Sequence, residues 1–399
     1  MKYLILLGDG MADFPLPGYD NKTPLELADK PCMDTLAKKG TLGMVKTVPD
    51  SLKPGSDVAN LSVMGYNTEE CYTGRSPLEA ASIGVELLPD DMTFRCNLIT
   101  LSDDEIYENK TMVDYSSGEI TTEEAAELIK AVSEHLGTDI LEFHAGISYR
   151  HLLVWHGCDK KFTLTPPHDI SDKKITDYMP SEPLFCEMMK KSYEFLKDHP
   201  VNLKRIERGL NPANSIWLWG EGTKPMVENF EKKTGLKGSV VSAVDLVKGI
   251  GFCAGMDVIE VEGVTGNIDT NFEGKAKAAA DALFGDSDFV YLHFEAPDEC
   301  GHHGDADGKI KSIEYLDKRV LSYLLDRFND AGIDYSIMIL PDHPTPIATK
   351  THSREPVPFL IYKSTDEKNN PDAVYTENCA ADAGLFVEEG HKLLDMFIG

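Results

Sequence analysis

The sequence predicts an α/β protein: a parallel core sheet with helices on both faces, and a smaller α+β segment inserted into it. Two observations carry this reading. Short apolar, β-rich runs alternate with helical patterns at both ends of the chain, and the middle breaks that alternation. Composition removes the main competitors. The chain has 399 residues, 42% hydrophobic and 27% charged, which is globular rather than fibrous or disordered usage. At about 150 residues per domain it is long enough for two or three domains.

Taken in order, Tyr3-Leu-Ile-Leu-Leu7 reads as the first strand, an unbroken apolar run of the kind a parallel sheet buries on both faces. Phe94-Arg95-Cys-Asn97 lies on a second predicted strand. Thr121-Thr-Glu-Glu124 is a capping box that opens a helix to about Leu136, with Gly137 as its stop. The alternating stretches Leu141 to Ser148 and His151 to Trp155 follow, then the Pro-rich Thr163 to Asp169 and a helix at about Leu184 to Leu196. Further buried strands are expected at Ser215 to Trp219, Ser239 to Ser242, Phe289 to Phe294 and Tyr335 to Leu340. Between the last two, Ile310, Ile313, Leu316, Val320, Leu324 and Phe328 recur at helical spacing over about Lys309 to Ala331. The expected organisation is a core of residues 1–111 and 181–399, interrupted by an insert at 112–180.

The formal charge of −28 repels nucleic acid and anionic lipid. An anionic substrate therefore requires cations gathered locally, and bound metal is one way to supply them. No segment reaches the roughly 18 to 20 apolar residues of a membrane helix, and the N-terminal apolar run is too short for a signal peptide. The eight Cys are scattered without a C-x-x-C pair and read as reduced thiols. A cytoplasmic protein is the expectation.

Three predicted strands end in loops that bear carboxylates or imidazoles: Gly8-Asp9-Gly10, Ala296-Pro-Asp298 to His302, and Pro341-Asp342-His343-Pro344. Ligands of open α/β sheets bind beyond the carboxyl ends of the strands, so these loops can converge. Thr351-His352-Ser353 adds another His. Asp298 and His302, four apart, share a face if the segment is helical, which a simple ion pair would also explain. Mixed carboxylate and imidazole ligands suit Mn²⁺ or Zn²⁺, and two such sets suit a two-metal phosphoryl-transfer centre. Ser56, in Lys53-Pro-Gly-Ser56-Asp-Val-Ala-Asn60, is the candidate nucleophile. A Ser at a helix start is commonly a cap, whereas metal coordination would make it an alkoxide. The spacing leaves both open.

These motifs, with Gly74-Arg75-Ser-Pro-Leu-Glu79 and Asp269-Thr-Asn-Phe-Glu-Gly-Lys275, resemble those of the cofactor-independent phosphoglycerate mutases. That family lies in the alkaline phosphatase superfamily, and the match is to its shorter, archaeal-type branch. The resemblance implies an alkaline-phosphatase-like core with an inserted substrate-binding cap. It also implies two divalent ions (Mn, Zn, Co or Mg, with Mn or Zn favoured), one held by Asp298, His302 and His352, the other by Asp9, Asp342, His343 and the nucleophile Ser56. The reaction implied is interconversion of 3- and 2-phosphoglycerate through phosphoserine, in glycolysis and gluconeogenesis. A homoserine-directed phosphotransferase using the same centre is the alternative. Substrate anions need donors, and Arg150, Arg95, Arg75 and Lys275 are the candidate clamps, with His168 and Asp169 as candidates for the migrating proton. The partner expected is a small phosphorylated molecule, with no nucleic acid and no membrane.

Overall fold

Lys2–Gly8 is apolar almost throughout, and its last five residues are buried. In the computed structural model, which describes residues 1–399, it is a central strand. It pairs in parallel with Phe289–Phe294 on one side and Tyr335–Leu340 on the other, Gly8 lying opposite Phe294 and Leu7 opposite Leu340. The carboxyl ends of all three strands therefore fall on one edge. Gly238–Val241 and Asp257–Val258 extend the sheet in parallel beyond Phe289–Phe294. On the far side Val357–Lys363 and Thr41–Val45 join antiparallel, and Phe386–Val387 closes that edge. The eight-stranded sheet is parallel through its centre, as expected, and gains antiparallel strands on one side.

Side chains alternate across this sheet. Leu4, Leu6, Val290, Leu292, Ile337 and Ile339 bury against the helices Pro31–Lys39, Phe272–Phe284 and Ala306–Ala331. The opposite face is covered by Ser56–Val63, Asp245–Cys253 and Leu393–Ile398. The long helix at 306–331 follows the periodicity of its apolar residues but widens to π-helical geometry over Leu316–Leu321. There the buried Asp317 accepts Cys32 N at 3.1 Å and Met33 N at 2.7 Å. It thus caps Pro31–Lys39, whose own N-cap residue, Lys30, makes no side-chain cap.

Contacts divide the chain into two units, residues 1–72 with 226–399, and residues 73–225. The second holds an antiparallel sheet around Met92–Leu101, flanked by Ser215–Thr223 and by Arg150–Trp155, which in turn pairs with Leu141–His144. Thr122–Leu136 and Pro183–Leu196 complete its core. The Thr121 side chain caps the first of these from Glu124 N. Gly137 ends it with φ −66, so close approach explains this glycine: an added Cβ would meet Ser133 O at 2.4 Å.

Two expectations need correction here. Ser215 to Trp219 belongs to the second sheet rather than the core sheet, and the unit inserted into the core runs over 73–225 rather than 112–180. Met92–Leu101 and Ser215–Thr223 are mostly buried. A strand buried on both faces carries no sequence mark of the sheet it joins.

Candidate active site

The edge where three parallel strands end gathers the acidic loops. Asp9 follows the first strand, with its backbone N–H on Phe294 O at 2.8 Å. Asp342 and His343 follow the third. Asp298 and His302 stand one turn apart on the helix Ala296–His303, which begins just after the second strand. The expected shared face is realised, with His302 Nε2 3.2 Å from Asp298 Oδ2. His352 Nε2 lies 3.0 Å from His302 Nε2 and 3.5 Å from Asp298 Oδ1.

Around Asp9 the second set forms. His343 Nε2 is 3.5 Å from Asp9 Oδ1, 3.4 Å from Asp342 Oδ2 and 3.1 Å from Ser56 Oγ. Ligand atoms of Asp9, Asp342 and His343 lie within 4.8 Å of one another, and so do those of Asp298, His343 and His352. His343 is thus within reach of both sets. Ser56 opens its helix, but Gly55, which has no side chain to cap with, occupies the cap position, and the Val58 N–H is accepted by Asp57 Oδ1 at 2.9 Å. The Ser56 hydroxyl is directed at His343 instead, which disfavours the capping role.

Electrostatics bear on what the cluster can hold. Burial, followed by the charges of Asp342, Asp298 and Glu295, pushes the Asp9 carboxyl well above its usual range. Burial opposes ionisation of Asp298 too, yet hydrogen bonds from His302 and His352 outweigh it and hold that carboxyl well below the usual range. The bond to Asp298 raises His302 to about 9 against its own burial. Asp9 Oδ1 is buried without a hydrogen-bond partner, and His302 and His352 point nitrogen at nitrogen. Buried carboxylates and facing imidazole nitrogens are costly unless a cation sits among them. Oxygen and imidazole donors at this spacing fit divalent first-row metals.

A supporting layer was not foreseen. Asn60 Nδ2 donates to Asp342 Oδ2 at 2.7 Å and to Ser56 O at 2.8 Å, while its Oδ1 accepts from Tyr291 OH at 2.6 Å. His293 Nε2 lies 3.0 Å from Asp9 Oδ2, and Thr345 Oγ1 donates to Asp298 Oδ1. Asn60 follows Ser56 by four residues on one helix, a spacing that marks it as a neighbour of the nucleophile. His293 is the one imidazole in a strand whose other residues are aliphatic or aromatic, which is also a usable signal.

The candidate anion clamps lie in the second unit, except Lys275. Arg75 and Arg95 each donate through Nε to opposite oxygens of Glu79, both at 3.0 Å. The Arg95 guanidinium lies 4.2 Å over the Trp219 ring. Burial lowers the Arg95 pKa, Glu79 opposes this, and the charges of Arg75 and Arg150 add to the lowering. The three arginines therefore share one electrostatic neighbourhood. His168 packs edge-on against Trp219 and Tyr115, with Asp169 3.7 Å away. Arg150 is exposed beside the Tyr149 ring. Lys275 corrects the expectation. It is fully buried in the first unit, donates to His293 O beside the Phe294 ring, and is pushed down to about 7 by burial. It underpins a strand and is not presented as an anion clamp.

Comparison with known proteins adds a name to this arrangement. A profile of the family described as 2,3-bisphosphoglycerate-independent phosphoglycerate mutase matches residues 37–202. A protein of Geobacter sulfurreducens named as a probable member is 50% identical over 401 residues, with both chains covered completely. The enzyme so named in Methanosarcina mazei is 46% identical over 402 residues, again with complete coverage of both. Among solved structures, the cofactor-independent phosphoglycerate mutase of Thermoplasma acidophilum is 25% identical, with a TM-score of 0.67, covering 100% of this chain and 99% of that one. With such relatives matching it from end to end, the chain belongs to the family of 2,3-bisphosphoglycerate-independent phosphoglycerate mutases.

Proposed function

We propose that the protein interconverts 3-phosphoglycerate and 2-phosphoglycerate without a bisphosphoglycerate cofactor, Ser56 being the phosphoryl carrier. The observation that carries this reading is the Ser56 hydroxyl, free of capping duty and 3.1 Å from His343 amid buried carboxylates. The end-to-end relatives bearing the mutase name support the same reaction. A homoserine-directed phosphotransferase is not favoured: those relatives carry another name, and the second unit's arginines suit an anion rather than an ammonium.

Asp298, His302 and His352 would hold one divalent ion, and Asp9, Asp342, His343 and Ser56 the other. Mn²⁺ or Zn²⁺ is favoured by the donor set, with Co²⁺ and Mg²⁺ also compatible. When bound, the ions would acidify the Ser56 hydroxyl and neutralise charge on the phosphoryl oxygens. The rest is the work of the chain. Ser56 sits in the first turn of its helix, whose positive end favours an anionic phosphoryl group. Its Oγ bonds to phosphorus as the bond to the substrate O3 breaks, and the serine proton ends on the released O3. The O2 hydroxyl of the same glycerate then attacks the phosphoserine, and its proton returns to Ser56. Atoms balance without water, so water must be excluded while phosphoserine exists.

Arg75, Arg95 and Arg150 would hold the carboxylate or phosphate of the substrate, with His168 and Asp169 carrying the proton between hydroxyls. The helices include none long and apolar enough to cross a membrane, in keeping with a cytoplasmic glycolytic enzyme. Purified protein with Mn²⁺ should convert 3-phosphoglycerate to 2-phosphoglycerate with no bisphosphoglycerate added. No conversion with any of Mn²⁺, Zn²⁺, Co²⁺ and Mg²⁺ would overturn the proposal.

A further inference from the structure

The strand Phe289–Phe294 carries two supports for the acidic loops. Val290, Leu292 and Phe294 turn into the apolar core, so Tyr291 and His293 share the opposite face. Tyr291 reaches Asp342 through Asn60. His293 reaches Asp9, and the hydrogens around it can be counted atom by atom. Ser242 directly follows Gly238–Val241, whose Val241 lies opposite Leu292, and so falls beside His293.

Ser242 Oγ accepts from Val244 N at 3.0 Å and lies 3.2 Å from His293 Nδ1. On the other side of the ring, His293 Nε2 lies 3.0 Å from Asp9 Oδ2. Ser242, His293 and Asp9 are all buried. As a metal ligand the Asp9 carboxylate is ionised and only accepts, so Nε2 carries a hydrogen. If Nδ1 were protonated too, Ser242 Oγ would accept twice and its own hydrogen would be stranded in a buried site, which is costly. If Nδ1 keeps its lone pair, the Ser242 hydroxyl donates to it and every hydrogen has a partner. The bonds then run one way, from Val244 to Ser242 to His293 to Asp9 Oδ2.

The count ends at Asp9 Oδ1. That oxygen is buried without a hydrogen-bond partner and lies 3.5 Å from His343 Nε2. Asp342 differs. Its Oδ1 accepts from Gly10 N at 3.1 Å and His343 N at 2.9 Å, and its Oδ2 accepts from Asn60 Nδ2 at 2.7 Å. Of these two carboxylates, only Asp9 keeps an oxygen free of hydrogen bonds.

We propose that Ser242 and His293 are positioning residues that hold Asp9 Oδ2 and so present Oδ1 alone to the ion of the Ser56 centre. This rests on the two-ion reading above. Ser242 fixes the ring as its Nε2–H tautomer. Without the hydroxyl, the hydrogen is free to move to Nδ1, which sets the Nε2 lone pair against Asp9 Oδ2, acceptor against acceptor. Partners of this kind, one step out from the ion, set the orientation and basicity of its ligands.

The test uses full-length protein stripped of metal by a chelator, with Mn²⁺ binding followed by equilibrium dialysis and elemental analysis. Wild type should hold two equivalents. His293→Leu should weaken one of them by about 10–100-fold. Ser242→Ala should weaken the same one by about 2–10-fold, the equivalent of one neutral hydrogen bond. His352→Ala, which removes a ligand of the other ion, should weaken the other equivalent. His293→Gln resembles Leu in size but keeps an amide N–H for Asp9, so it should recover much of the loss, whereas a packing role would favour Leu. Circular dichroism establishes that each variant is folded. Imidazole nitrogen resonance spectra of the Zn²⁺-loaded wild type should show His293 as the Nε2–H tautomer, a reading that needs no variant. Two undisturbed equivalents in folded His293→Leu, or an Nδ1–H or doubly protonated His293 in wild type, overturn the proposal. Fewer than two equivalents in wild type overturn the two-ion reading, and this proposal with it.

Discussion

Replacing Asn60 by Ala tests whether the nucleophile and the metal ligands are held by one shared support. The substitution removes the donor to Asp342 Oδ2 and to Ser56 O, and strands the Tyr291 hydroxyl in a fully buried site. A hydrogen bond to a charged group contributes about 1.5–3 kcal/mol, and an orphaned buried hydroxyl costs about 1–3 kcal/mol. The expected destabilisation is therefore about 3–5 kcal/mol, read by urea denaturation. Function should suffer beyond stability. Loss of a group that orients a metal ligand typically costs about 10–100-fold in metal affinity or activity. The assay is mutase turnover as a function of Mn²⁺ concentration, below the temperature at which the variant unfolds. The Mn²⁺ needed for half activation should rise by that factor. Tyr291→Phe, which deletes only the outer hydroxyl, should shift it much less. If Asn60→Ala is less stable but keeps the wild-type Mn²⁺ requirement and turnover, Asn60 is only a core residue and the shared support is wrong.

Ser56→Ala should abolish formation of a phosphoprotein from labelled phosphoglycerate and all mutase turnover while leaving the fold intact; retention of either would remove Ser56 as carrier. Arg150→Ala should lower mutase turnover by about 10²-fold, the order expected when a positioning contact is lost. Phosphate release should fall less, so the ratio of hydrolysis to mutation rises; unchanged turnover would free Arg150 of any substrate role. Lys309→Met should cost about 3–5 kcal/mol in thermal or urea denaturation. It leaves the buried Asp13 carboxylate, 2.7 Å from the lost ammonium, without a counter-charge. Adding Asp13→Asn should recover part of that loss, and failure to recover any would show that the pair is not the source.

Much of the site was legible because its residues follow chemistry-bearing patterns that survive in one dimension. Asp9, Asp298, Asp342 and His343 lie at or just beyond the ends of apolar strands, and the lengths of the apolar runs mark where those ends are. The Ser56 motif was readable too, with its role open between cap and nucleophile; the cap position is held by Gly55. Lys275 entered the reading through the recognised stretch Asp269 to Lys275, without regard to its place on a helix. Phe272, Ala276, Ala279 and Leu283 form a buried stripe at helical spacing, and Lys275 lies on it. The sheet to which Ser215–Thr223 belongs was not legible, since partner choice depends on strands more than a hundred residues away. Asn60 and His293 act through other residues, and a single sequence displays residues rather than the contacts between them.

The charge of the chain poses a last question, because a net −28 opposes an anionic substrate. Screening answers the long-range part: at physiological ionic strength the Debye length is about 8 Å, so distant surface carboxylates contribute little at contact. Local charge decides binding, and the proposed clamp in the second unit would supply it with few groups. Glu79 joins Arg75 and Arg95 through their Nε atoms, leaving the triad one net positive charge, to which exposed Arg150 adds another. A guanidinium as buried as Arg95 would be costly alone, but Glu79 offsets that cost and Trp219 lies under its face. The carboxylate that reduces the total charge is thus the group that fixes where the remaining charge points. In an acidic protein, aim of this kind matters more than amount. A basic surface would draw any polyanion, whereas a few oriented arginines favour one whose carboxylate and phosphate match their spacing.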